Sequence, residues 1–113
     1  MSLEKRRYER ASFSIDVTIR RPSDGLRCRG RSIDLSAGGM GIYCERFFAP
    51  GEHLRLGITL RTAPTPQSFE LDAIVRRAQV QDAGAILGVE FERPLSAAQE
   101  PALYGVLAGR EEP

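Results

Sequence analysis

The stretch LRCRGRSIDLSAGGMGIYC, residues 26–44, decides the fold because two runs of strand-like sequence meet at a tight turn. Residues 26–35 alternate between arginine and small or apolar side chains, which predicts a strand with two different faces. The letters SAGG at residues 36–39 predict a tight connection, since glycine adopts backbone conformations that other residues avoid. A short strand, residues 40–44, follows this turn.

The two faces of the strand at residues 26–35 differ in polarity. One face carries Arg27, Arg29 and Arg31, and the other carries Leu26, Cys28 and Gly30. The apolar positions then change parity to Ile33 and Leu35. This change predicts a β-bulge at residues 30–32, with Ile33 facing inward.

Four further strands are predicted around this central stretch. They cover residues 13–20, 53–60, 69–81 and 85–91, separated by turn signals such as PSDG at residues 22–25. Two of them have regular inward rows, formed by Leu54, Leu56, Ile58 and Leu60 and by Leu87, Val89 and Phe91. The proline-containing residues 62–68 are expected to form a mobile hairpin loop. Six strands without intervening helices favour an antiparallel barrel or closed sandwich, because closure removes the sheet edges.

The last part of the chain changes to helical spacing. Ser96, three residues before Gln99, predicts a capping box. Pro101 suits the first turn of a helix. A short helix that ends near Gly109 is therefore expected to pack apolar side chains against the barrel, namely Leu103, Val106 and Leu107.

The 113 residues are enough for one domain with a modest core. We expect a flexible, arginine-rich leader at residues 1–11 and a barrel with its C-terminal helix at residues 12–113. Charge is unevenly distributed, because residues 1–31 contain nine basic and four acidic side chains, whereas residues 32–113 contain seven basic and eleven acidic ones. The N-terminal part is suited to an anionic partner.

Several classes of function lack the residues that they need. Two cysteines, Cys28 and Cys44, and a single His53 form no metal-binding motif, and both thiols are expected to be reduced. Neither a signal peptide nor a membrane-spanning apolar run is present, which predicts a cytoplasmic protein without membrane insertion. No nucleophile–base pair or phosphate-binding loop is recognisable, so an enzyme is not expected.

Two polar motifs lie in a characteristic order. Arg6 and Arg10 form R-x-x-x-R ahead of the first strand, and Asp34-x-Ser36-x-x-Gly39 lies between the second and third strands. Arginine offers a planar fork of donors for phosphates or guanine edges, and Asp34 and Ser36 offer acceptors. Together with the strand pattern, these motifs resemble the PilZ domain family over residues 5–107.

The resemblance implies a stand-alone receptor for cyclic di-GMP, with this nucleotide as ligand and no cofactor. It implies that Arg6, Arg7 and Arg10 bind the phosphates and guanines. It also implies guanine contacts from Asp34 and Ser36, at a turn that contains Gly38 and Gly39. Lys5, directly before R-x-x-x-R, favours an intercalated pair of ligands, and Arg76 and Arg77 are accessory candidates for contact with a second ligand.

Ordering of the leader around the ligand is the expected signal to a downstream protein partner, which the sequence does not name. Two alternatives remain open. One is a PilZ-fold protein–protein adaptor that binds no nucleotide, although such members usually lack the arginines. The other is a nucleic-acid-binding small barrel, for which aromatic stacking residues are wanting. The Arg27, Arg29 and Arg31 row is interpreted as a solvated strand face that could widen the positive field around the site.

Overall fold

Six strands close into an antiparallel barrel. The computed structural model describes residues 15–60, 66–101 and 103–104. The strands are β1 Asp16–Arg21, β2 Leu26–Leu35, β3 Gly39–Cys44, β4 His53–Leu60, β5 Gln67–Gln81 and β6 Gly84–Phe91. They close in the order β1-β2-β3-β6-β5-β4, and every neighbouring pair is antiparallel. The predicted fold class is confirmed.

The barrel interior is filled by alternate residues of the strands, as the period of two predicts. Both expected inward rows, on β4 and β6, are buried. Burial of apolar surface is the main driving force that holds such a barrel closed. The largest fully buried side chains are Phe48, Ile19, Leu35, Met40, Ile42, Leu54, Leu56, Ile58, Leu87, Leu103, Val17 and Val75.

The bulge in β2 lies further along the strand than the sequence predicts. Pairing with β3 shifts register between Ser32 and Asp34, so Ser32 faces inward and Ile33 faces outward with 41% of its surface exposed. The predicted bulge is present in β2 but lies at residues 32–34 rather than 30–32, and the prediction of an inward Ile33 is wrong. Ser32 can occupy a buried position because its hydroxyl accepts a hydrogen bond from the Ile15 amide at 2.9 Å.

The fifth strand begins earlier than predicted. Gln67 and Ser68, assigned to a loop from the sequence, pair with Leu60 and Thr59 of β4. The Thr59 and Ser68 hydroxyls lie 3.2 Å apart, a polar cross-strand contact that needs no apolar residue. The other loop positions, residues 61–65, lie outside the described residues, as do residues 13–14 of the predicted first strand.

A helical turn begins at Pro101 after a serine cap. The Ser96 hydroxyl accepts a hydrogen bond from the Gln99 amide at 3.1 Å, as predicted. The reciprocal bond differs from the prediction, because the Ser96 amide donates to the carboxylate of Glu100 at 3.1 Å rather than to Gln99. Leu103 is buried in the core. Val106, Leu107 and Gly109, and with them most of the predicted helix, lie outside the described residues.

Glu100 offers a test of this cap. Its carboxylate is 5% exposed and accepts a hydrogen bond from Arg93 at 2.8 Å, and this bond holds the pKa of Glu100 below its ordinary value of 4.5. The carboxylate therefore stabilises the fold above pH 4.5, and this contribution is lost as the pH falls through the lowered pKa. Glu100→Gln should lower the free energy of unfolding at pH 7 by up to about 1 kcal/mol.

Thermal unfolding at several pH values checks this prediction. The difference between Glu100→Gln and the parent chain should shrink below pH 4.5, whereas Glu45→Gln, which changes an exposed loop carboxylate, should differ little at any pH. A difference that persists unchanged in acid would contradict a role for the ionised carboxylate.

Candidate functional site

Four cross-strand neighbours form a row on the outer surface of the barrel. Asp34 on β2 pairs with Gly41 on β3, Gly41 pairs with Gly88 on β6, and Gly88 pairs with Arg77 on β5. Directly paired residues point to the same face of a sheet. The row spans three strand spacings, about 14 Å between its outer backbones. A carboxylate and a guanidinium thus flank two positions that have no side chain.

An open groove of about 870 Å³, the ligand groove, lies over this row. Backbone forms its floor at Gly41 and Gly88, where any other residue would place a side chain. Ile33, which the bulge turns outward, also lines the groove. The groove combines a flat floor with groups of both charges at its sides, which suits a flat, polar ligand.

The β2 bulge directs the Asp34 side chain toward the ligand groove. One of its carboxylate oxygens accepts a hydrogen bond from the Gly41 amide at 2.9 Å, and this bond links the two strands where the ladder is irregular. Bulges commonly redirect a side chain next to a binding site. The predicted candidate Asp34 is therefore held at the edge of the ligand groove.

Arg76 and Arg77 reach the same groove from β5. A register shift between Val75 and Arg77 leaves two consecutive arginines exposed on the outer surface. Arg76 donates to the Glu90 carboxylate at 2.7 Å. Arg77 leans over Gly88, and within the described ranges 15–60, 66–101 and 103–104 it forms no ion pair. Of the two described arginines that line the groove, Arg77 is thus the one without an ion pair and available to an anionic ligand.

Ser36 lies inside its turn rather than on the groove surface. It is 5% exposed, and its hydroxyl donates to the Gly39 carbonyl and accepts from the Gly38 amide, each at 3.3 Å. The Ser36 amide also donates to the Gly39 carbonyl at 2.9 Å. In the structure Ser36 stabilises the turn, and its contact with a ligand stays a prediction.

The turn is hydrogen-bonded to the last residue of β6 and to the segment that follows this strand. The Phe91 amide donates to the Gly38 carbonyl at 2.9 Å, and the Leu95 amide donates to the Ala37 carbonyl at 2.8 Å. Gly39 approaches the β6 backbone so closely that a methyl group there would overlap the Val89 carbonyl oxygen. The φ of Gly39 is not in the left-handed region, so the backbone conformation does not require glycine here. Glycine is required because any side chain would prevent the close approach of the two strands.

The first described residue, Ile15, lies beside the ligand groove. Ile15 lies directly before β1. Its amide donates to the Ser32 hydroxyl, and its carbonyl accepts from the Ser32 amide, each at 2.9 Å. Ser32 lies two residues before Asp34 on β2. Ile15 therefore lies next to the acidic side of the groove, and residues 1–14 precede it in the sequence.

The predicted leader candidates Lys5, Arg6, Arg7 and Arg10 lie outside the described residues. Gly41 and Gly88, which form the floor of the groove, are not among the residues predicted from the motifs. An isolated glycine within a strand pattern often marks a close approach by backbone or ligand, and this signal could have found both.

The remaining chemically reactive side chains lie away from the groove. Burial is the main cause that raises the pKa of the Cys28 thiol to about 11, and the neighbouring Cys44 adds to it. Burial also raises the pKa of Cys44. No cluster of three or more metal-binding side chains occurs in the part of the chain that the structure describes. Among those same residues, no helix is long and apolar enough to span a bilayer.

The closed barrel and its two motif segments define a known class of domain. The family model for the PilZ domain matches residues 4–108, so the chain belongs to the PilZ domain family. No curated protein sequence matches it.

Solved structures share this fold. The chain is similar to the Bacillus subtilis inhibitor of motility (MotI/DgrA), with 27% identity, a TM-score of 0.76 and coverage of 94% of this chain. It is also similar to the PilZ domain of Escherichia coli YcgR with c-di-GMP, with 22% identity, a TM-score of 0.70, and coverage of 93% of this chain and 90% of that domain. For YcgR in complex with c-di-GMP the identity is 23%, the TM-score 0.66 and the coverage of this chain 95%. The chain spans 51% of the MotI chain and 46% of the YcgR chain.

Proposed function

We propose that this chain is a receptor module for cyclic di-GMP that passes the binding event to a protein partner rather than catalysing a reaction. One observation carries the proposal: Ile15, which the arginine-containing residues 1–14 precede in sequence, is bonded to Ser32 beside the groove that holds Asp34. Cyclic di-GMP bears two phosphates and two guanines, so it needs cations and planar polar contacts together. Its presence in the solved YcgR structures of the same fold supports this choice of ligand.

Each motif has a role in the proposed complex. Arg6 and Arg10 bind phosphates and the O6 and N7 edge of guanine, and Arg7 adds a further cation. Asp34 accepts from guanine N1–H and the amino group. Ser36 retains one acceptor lone pair beyond its two bonds in the turn, which Gly38 and Gly39 complete. Closure of residues 1–11 over the ligand is the proposed signal.

Arg76 and Arg77 extend the proposed site for a second nucleotide. They lie on the side of the ligand groove opposite Asp34, where the Arg77 guanidinium can stack on a guanine. Lys5 provides another cation next to Arg6. The proposal therefore favours an intercalated pair, and isothermal titration calorimetry should give two ligands per chain. A stoichiometry of one would overturn this part alone.

Calorimetry and thermal unfolding test the ligand class. Cyclic di-GMP should bind and raise the melting temperature, whereas GTP and single-stranded DNA at the same concentration should not. Stabilisation by DNA alone would favour a nucleic-acid-binding barrel. Absence of any nucleotide binding would favour a protein–protein adaptor of the same fold.

Substitutions test the assigned residues. Arg6→Ala and Arg10→Ala should each weaken cyclic di-GMP binding about tenfold or more, because each removes charge-assisted hydrogen bonds. Asp34→Asn should also weaken binding while its amide oxygen still accepts from the Gly41 amide. Without ligand, all three variants should melt like the parent chain. Arg46→Ala, an exposed loop position away from the groove, is the matched control. Variants that unfold would assign the motif a structural role.

A further inference from the structure

A second charged surface lies on the wall formed by β1, β2 and β4. Arg20 on β1 is directly opposite Arg27 on β2 and directly opposite Arg55 on β4. Arg29 lies on the same face of β2, two residues from Arg27. Arg27, Arg20 and Arg55 thus occupy directly opposed positions on three adjacent strands, whose backbones lie about 5 Å apart.

Only one of these arginines is neutralised. Arg55 donates to Glu70 at 2.8 Å and to Asp72 at 3.1 Å. Within the described parts of the chain, Arg20, Arg27 and Arg29 form no ion pair. Like charges directly opposite on a sheet destabilise it. Glu70 offsets part of this repulsion, because its bond to Arg55 and then the nearby charges of Arg20 and Arg27 lower its pKa. The fold therefore retains two directly opposed arginines that share only one nearby carboxylate among the described residues.

A groove of about 410 Å³, the basic groove, runs along this wall and is lined by Thr18, Arg20, Arg27, Arg29, Gly57 and Glu70, among others. Departures from local sequence rules that gain no stability are typical of functional surfaces. We propose that the basic groove is a docking site for an acidic segment of a partner protein. Each carboxylate of such a segment can accept two parallel hydrogen bonds from one guanidinium group. Its negative charge also reduces the repulsion between Arg20 and Arg27.

The chemistry of the groove favours a protein segment over other polyanions. Glu70 lines one side and Asp72 lies beside it on β5, so a continuous phosphate backbone crossing the groove would meet two carboxylates. The backbone amides of an acidic peptide can instead donate hydrogen bonds to the Glu70 carboxylate. The large apolar side chains described as exposed lie outside the groove, which removes the usual insertion contacts with a lipid surface.

The docking site is separate from the proposed nucleotide site. The ligand groove and the basic groove share no lining residue. Nucleotide and partner can therefore bind at the same time, and the two proposals can fail independently. The basic groove adds to the proposed function the chemistry of the partner.

Fluorescence anisotropy of a labelled poly-glutamate peptide with the full chain tests the proposal. We expect binding at low ionic strength that weakens with salt. Arg20→Gln/Arg27→Gln should lower the affinity about tenfold, as expected for two exposed ion pairs. Arg46→Gln, with the same charge change per site, should have little effect. Arg27→Glu should abolish binding and raise the melting temperature, because it places a carboxylate opposite Arg20.

Other outcomes would overturn the proposal. Equal loss of affinity in Arg46→Gln and Arg27→Gln would indicate attraction by net charge alone. Tighter binding of a single-stranded DNA or of phosphatidylserine vesicles, lost in the double variant, would assign the surface to a different class of partner.

Cyclic di-GMP titration of Arg20→Gln/Arg27→Gln should match the parent chain. A parent chain that binds the peptide through these arginines but not the nucleotide would refute only the proposed function.

Discussion

Gly88→Ala is expected to weaken cyclic di-GMP binding by about tenfold or more, equivalent to about 1.4 kcal/mol, with little change in stability. The outward methyl group would stand on the floor of the ligand groove, between Gly41 and Arg77, where the proposed site places a flat guanine ring. Its nearest neighbours would be atoms of Arg77 at 3.7–3.9 Å, ordinary contact distances. The substitution therefore fills the groove without straining the barrel.

Calorimetry measures the lost affinity, and thermal unfolding without ligand measures the retained stability. Gly57→Ala is the control for nucleotide binding, since it adds the same methyl to the outer face of β4, away from the ligand groove. Its methyl group would overlap the Thr18 hydroxyl, which must rotate aside, so its melting temperature is measured separately. Unchanged nucleotide binding in Gly88→Ala would mean that the ligand does not use the floor of this groove.

Gly39→Ala should have the opposite signature, with a large loss of stability. A methyl group at residue 39 would overlap the Val89 carbonyl oxygen and crowd the Glu90 backbone, and backbone within a ladder cannot turn aside as a side chain can. Overpacking of this kind costs about 3 kcal/mol. For a domain of this size the melting temperature should fall by about 10–20 °C.

Chemical denaturation checks the size of this effect, and Gly88→Ala provides its internal comparison. The two substitutions are chemically identical and lie on neighbouring strands, but one meets backbone and the other meets a flexible side chain. If Gly39→Ala melted at the same temperature as the parent chain, the close approach of β3 and β6 at the turn would not require glycine at this position.

Much of the barrel follows from local patterns. The bounds of β2 and β4 match the predicted residues, because apolar alternation and turn residues act over a few neighbours. The serine cap at Ser96 was predictable for the same reason, but its partner was not, since Glu100 accepts the Ser96 amide in place of Gln99. Ile33 was misplaced because hydrophobicity alone favoured it over Ser32 for the buried position. The hydrogen bonds of Ser32 to Ile15, distant in sequence, reverse that preference.

The motifs predict candidate site residues but not their geometry. R-x-x-x-R and D-x-S-x-x-G point to a ligand, and they identify Asp34 at the groove edge. They give no sign that Arg77 lies across two glycines from Asp34, because this depends on the β3–β6 and β6–β5 pairings. They also do not show that Ser36 is already bonded within its turn.

Side-chain type and short spacing were enough to define the six strands, the turn at residues 36–39 and the uneven distribution of arginine. Which strands are neighbours, and in what register, follows only from the folded barrel. Every backbone offers the same amide and carbonyl groups, so pairing is selected by closure and packing of the whole barrel. That selection brings Asp34, Gly41, Gly88 and Arg77 into one row.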